Sequence, residues 1–208
     1  MNPGLRRFVG PPARQDKPGP ALLERCELCG NPAGEPHGHV VDTGERALLC
    51  ACRPCFLLFT RPDAGGGRFR AVPDRYLHDP AHALTRPEWE RLGIPVGSAF
   101  FLRGEEGTTA FYPSPAGATE CLLDLDAWAA LVAAHPLLAA AEPEVEAVLV
   151  RAEQDSDVEC FLVPVDVCYQ LVGTVRMYWQ GFDGGAEAKE RIEEFFATVR
   201  RSATPLGG

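Results

Sequence analysis

Two cysteine pairs, Cys26-x-x-Cys29 and Cys52-x-x-Cys55, stand 22 residues apart and constrain this chain more than any other feature. Two residues between thiols let both sulfurs face one ion from a tight turn, and Gly30 supplies the positive φ that such a knuckle requires. The segment from His39 to Cys50 alternates around Thr43-Gly44, which predicts a hairpin. After Cys52, Pro54 and the run Phe56-Leu57-Leu58-Phe59 predict the start of a helix. Cys52 and Cys55 then share one face at i and i+3 in its first turn, where the helix dipole favours thiolate. Knuckle, hairpin and helix in that order predict a treble-clef-like module over residues 22–62; a strand after the second pair would make it a zinc ribbon instead. A segment of this size cannot build a sufficient apolar core, and a tetrahedral metal site of Cys26, Cys29, Cys52 and Cys55 would replace one. Zinc is the expected ion. Iron is the alternative, because rubredoxin-type sites also use two such pairs; there each pair is normally followed by Gly, and Phe56 occupies that place after the second pair here.

Three neighbours complicate the ligand set. Cys50 makes the second motif C-x-C-x-x-C and is expected in the core or beside the ligands, with replacement of Cys52 as the alternative. His37 and His39 precede the hairpin; as ligands they would make a mixed Cys/His site, but four thiolates suffice, so hydrogen-bonded or exposed histidines are expected. A closed shell of four protein ligands leaves no position for a hydrolytic water. No Gly-rich phosphate loop, G-x-S-x-G elbow or dinucleotide fingerprint occurs. His78 and His82 are four apart but flank Pro80, which argues against a helical metal pair, and Asp155 and Asp157 read as a turn. A His-Asn-His nuclease finger would need a further Asn and His near the second pair, and neither is present. The expectation is a protein without catalytic activity of its own.

The formal net charge of −9 opposes a phosphate backbone, so neither nucleic acid nor a zinc-finger regulatory role is favoured. No apolar run reaches the roughly 18 residues needed to span a bilayer, and the first 20 residues lack the apolar stretch of a secretory signal. The chain is therefore expected in the cytoplasm, where thiols stay reduced.

Residues 1–21 read as a flexible tail, Gly65-Gly66-Gly67 as a linker, and 69–201 as an α+β domain. Thr85-Arg86-Pro87-Glu88 is a capping box that opens a helix, and Gly93 closes it. Strands are expected around Phe100-Phe101 and Ala110-Phe111, and again over 144–153 and 158–165. Asp126 and Asp166 read as N-caps of helices, and residues 186–201 as a terminal amphipathic helix burying Ile192, Phe195, Phe196 and Val199. Cys121, Cys160 and Cys168 read as core, Trp179 to Gly185 as a helix–helix corner, and 202–208 as a frayed end. This order predicts an antiparallel sheet with helices on one face.

Together CELCG, HGHVVD, LLCACRPCFLLFT, PVDVCYQLVGTVRMYWQGFDGG and the terminal helix with its Phe pair resemble an uncharacterised actinobacterial family associated with NiFe hydrogenase gene clusters. The resemblance spans most of residues 22–201 and carries no assigned activity. It implies a role in hydrogenase assembly or function, with a hydrogenase subunit or maturation factor as protein client. If the cysteines held iron, the implied role would be that of a rubredoxin-like electron carrier for a redox enzyme.

Overall fold

The computed structural model describes residues 24–61, 63–153, 157–181 and 183–207. The expected tail and the tip of the turn at 154–156 lie outside the described residues.

The chain builds two sheets. In the smaller one, β1 (Gly38–Asp42) pairs antiparallel with β2 (Ala47–Ala51) and, on its other edge, with β3 (Phe69–Ala71). Phe69–Ala71, expected in the second domain, thus complete this first sheet instead. The glycines read as a linker form a tight turn over Ala64–Gly67, with φ of 62° at Gly65 and 70° at Gly66. That turn reverses the chain after α1 (Arg53–Leu58) so that β3 can reach β1.

The larger sheet has seven strands, in the order β10-β4-β9-β8-β5-β6-β7. They are β4 (Leu77–His78), β5 (Ser98–Gly104), β6 (Gly107–Ser114), β7 (Gly117–Cys121), β8 (Glu146–Arg151), β9 (Glu159–Pro164) and β10 (Thr204–Pro205). All neighbouring pairs are antiparallel except β10 with β4. The strands expected on each side of Glu105-Glu106 and of the 154–157 turn are β5–β6 and β8–β9, while β7 carries no strong apolar alternation and is an addition to that expectation. The end expected to fray is ordered, because Leu206 N–H donates to the His78 carbonyl at 2.8 Å and Thr204 N–H to that of Tyr76 at 3.0 Å.

Helices cover both faces of this sheet, not one. Side chains on successive strand residues point to opposite faces, and here both sets are apolar. Phe101, Val148, Val150 and Leu162 join Trp89 of α2 (Arg86–Arg91), Trp128 and Leu131 of α3 (Leu125–Ala134), and Leu137 and Leu138 of α4 (Pro136–Ala139) in one core. Phe100, Leu149, Phe161 and Val163 join Cys168, Leu171 and Val172 of α5 (Val165–Tyr178) and Phe196 and Val199 of α6 (Gly185–Ser202) in another. A continuous apolar strand such as Ala147-Val148-Leu149-Val150 needs a cover on each side. No helix among the described residues is long and apolar enough to cross a membrane.

Two cap assignments shift. Asp124, not Asp126, accepts the amides of Asp126 and Ala127 at the start of α3. Asp166 lies inside the first turn of α5, whose N-cap is Pro164, and its carboxylate is used elsewhere. The capping box of α2 forms as expected, Glu88 accepting the Thr85 backbone N–H at 2.8 Å.

Candidate metal centre

The knuckle 25–33 closes on itself. Cys26 N–H donates to Asn31 O and Gly30 N–H to Cys26 O, each at 2.8 Å, with Gly30 at φ 75°. Glu27 fastens the knuckle to β2: its N–H donates to the Cys50 carbonyl at 2.9 Å and its carboxylate accepts the Cys50 N–H at 2.7 Å. The hairpin turn is held by Asp42, whose carboxylate accepts the amides of Gly44 and Glu45 and a two-point contact from Arg68, with distances of 2.9 and 2.6 Å. That guanidinium holds the Asp42 carboxyl below its ordinary range. α1 begins immediately after Cys52, with Phe56 N–H on the Cys52 carbonyl at 2.9 Å and Pro54 in the first turn. Gly38 lets Phe56 pack against the hairpin, since a Cβ there would stand 2.4 Å from the ring.

These devices bring Cys26, Cys29, Cys52 and Cys55 together, their sulfurs all within 4.8 Å of one another. Cys29 Sγ and Cys52 Sγ are 3.7 Å apart, too far for a disulfide. A tetrahedron with zinc–sulfur distances of about 2.3 Å has sulfur–sulfur edges of about 3.8 Å. Cys26 and Cys52 are buried, Cys55 half-buried and Cys29 exposed. Burial pushes the Cys26 thiol up, but backbone amides of Cys52, Cys29 and Leu28 overcome it and lower it to about 6. Cys55 moves the other way, pushed up to about 12 by burial and by the other three thiols. One thiolate forms readily here and further thiolates beside it are opposed; a cation between them removes that opposition. The donor set therefore fits a thiophilic metal ion.

His37, His39 and Cys50 do not join the four cysteines. They form a second cluster, one ring nitrogen of each histidine and the Cys50 sulfur lying within 4.8 Å of one another. Cys50, expected in the core or beside the ligands, is half-buried beside the cluster, paired across the strands with His39, and its thiol is pushed up by burial and by the charges of Glu24, Glu27 and Cys26. His39 Nδ1 donates to Asp166 Oδ2 at 2.7 Å, and His37 Nε2 stands 3.2 Å from Glu24 Oε2. Asp166 is 127 residues from His39, and no spacing in the sequence connects them. His78 and His82 also remain apart in role: His78 is in β4, and His82 pairs with Asp79 at 2.9 Å.

An α+β chain with a four-cysteine cluster on a small sheet is what the fold and the site define. The chain belongs to DUF5947, a family of unknown function, whose family model matches residues 25–203 and so takes in the cysteine cluster and every strand from β1 to β9. No curated protein and no solved structure matches it.

Proposed function

We propose that this protein is a non-enzymatic accessory protein in which the four cysteines hold a structural zinc ion in a treble-clef-like module, and in which the surface around that module docks a protein client. The observation that carries the reading is the convergence of Cys26, Cys29, Cys52 and Cys55 into one closed set of sulfur donors. Four protein ligands satisfy zinc completely, so such an ion stabilises a fold instead of activating a substrate. Leu57 and Leu58 support the docking role: they lie two and three residues after Cys55 on α1 and are 50% and 64% exposed. Apolar side chains displayed by a rigid metal module suit a protein partner better than a small polar substrate. The resemblance to proteins of hydrogenase gene clusters points to a hydrogenase subunit or maturation factor as that client.

The test has two parts. Metal analysis of the chain purified without air should find zinc, no iron and no colour, with the zinc lost in Cys26→Ser. Affinity purification of the full chain from its own cells should bring down a hydrogenase subunit or assembly protein, and Leu57→Glu with Leu58→Glu should release it. A red protein containing iron would transfer the reading to an electron carrier, and a chain that captures no such partner would overturn the docking role.

A further inference from the structure

The cluster at the open end of the β1–β2 hairpin has the makings of a second metal site of a different kind. Donation of its Nδ1 proton to the Asp166 carboxylate leaves Nε2 of His39 as the free lone pair. A carboxylate that fixes the tautomer of an imidazole from behind is the usual support of a metal-binding histidine. Asp166 has little else to do: its Oδ1 is buried and has no hydrogen-bond partner, and it does not cap α5. A carboxylate with one oxygen buried and unpartnered is incompletely compensated by an imidazole, and a cation on the far side of the ring adds to that compensation. His37 Nε2 stands 3.2 Å from Glu24 Oε2, and a ring nitrogen of His37 can supply the second lone pair. Cys50 completes the set from the neighbouring strand, in direct register with His39. The Glu27 carboxylate on the Cys50 N–H and the Glu24 carboxylate beside His37 add negative charge at the site, which favours a cation there.

We infer that His37, His39 and Cys50 bind a second divalent transition-metal ion, held by two imidazoles and one thiolate, with Asp166 as the positioning residue behind His39. Three protein ligands leave a fourth position open, so this ion can exchange and can take a water or a donor atom from a partner, which the four-cysteine site cannot. Imidazole and thiolate donors suit zinc, cobalt(II), nickel(II) and copper, and exclude magnesium and calcium. The site also spans the two sheets: His37 and His39 belong to the small sheet and its approach, Asp166 to the helix that covers the large one.

The experiment counts metal in the full chain equilibrated with excess zinc and then probed with cobalt(II). The wild type should hold two ions per chain. Cys50→Ala and His37→Gln should each hold one, retained by the four cysteines, and that retained ion also shows that the small sheet is folded. Cobalt(II) in the second site should give a sulfur-to-cobalt absorption that disappears in Cys50→Ala. Asp166→Ala should weaken the second ion by about 10–100-fold without touching the first, while Asp166→Asn, which keeps an acceptor for Nδ1–H, should recover part of that loss. A single ion lost in Cys55→Ser and unaffected by Cys50→Ala would overturn the second site and leave the first standing. A single ion lost in Cys50→Ala and unaffected by Cys55→Ser would do the reverse.

Discussion

Cys55→Ser tests whether metal, and not apolar packing, holds the small sheet together. Among the side chains around the cysteines, Val40 is the largest that is fully buried; Cys26, Ala51 and Cys52 are the other buried members, and Leu28, Phe56, Phe59 and Phe69 pack against them only partly buried. Burying one valine contributes about 2 kcal/mol, whereas a structural zinc ion in a small module contributes an apparent 10–16 kcal/mol. Removing one of four thiolates forfeits most of the stabilisation that the ion provides, and nothing in the cluster can replace it. The amides of Gly30 and Phe56, bonded to the carbonyls of Cys26 and Cys52, should then exchange with solvent at least about 100-fold faster, as expected once local stability falls by several kcal/mol. The amides of β8 and β9 lie between two cores of their own and should change by less than about twofold. Hydrogen exchange read by mass spectrometry on the full chain, alongside metal analysis, separates these regions. Full metal occupancy in Cys55→Ser would show that the ligand set is wrong. Loss of metal with unchanged exchange at Gly30 and Phe56 would show that packing holds the small sheet, and the reasoning would fail.

Three further outcomes follow from the large sheet. Phe101 is 2% exposed, stacked on Trp128 at 4.3 Å and edge-on to Trp89 at 6.5 Å; Phe101→Ala should cost about 3–5 kcal/mol and lower the thermal midpoint by roughly 10 °C, read by calorimetry. Glu146 is fully buried and held by Arg75 through contacts of 2.7 and 2.5 Å. Arg75→Ala should therefore cost about 3–5 kcal/mol in urea unfolding, because it strands a buried carboxylate, and adding Glu146→Gln should return part of that loss. Glu88, bonded by the Thr85 hydroxyl and backbone N–H and by His135, is lowered from 4.5 to about 2. A depressed carboxyl stabilises the fold above its unfolded value, so this contribution, about 2–3 kcal/mol, is complete above about pH 4.5 and is lost as pH falls towards 2. Glu88→Gln should lower stability at neutral pH and flatten the acid limb between those values.

The sequence by itself determined the local geometry of the cysteine cluster. C-x-x-C spacing, Gly30 and Pro54 act over a few residues, and within that range steric and hydrogen-bonding rules leave few choices. The capping box at Thr85 and the β5–β6 and β8–β9 hairpins were legible for the same reason. Tertiary structure decided what depends on contacts between distant segments. Helices cover both faces of the large sheet because Phe100 and Phe101, adjacent in sequence, point to opposite sides and each needs its own cover. Thr204–Pro205 became a strand only because β4 offered it a free edge. The second cluster has the same origin. His39 and Cys50 face each other through strand register, and His39 meets Asp166 across 127 residues because α5 packs beside the small sheet. An aspartate at the start of a helix reads as a cap from sequence alone; its carboxylate turned to a histidine instead, since Pro164 already opens the helix and the imidazole N–H lay within reach.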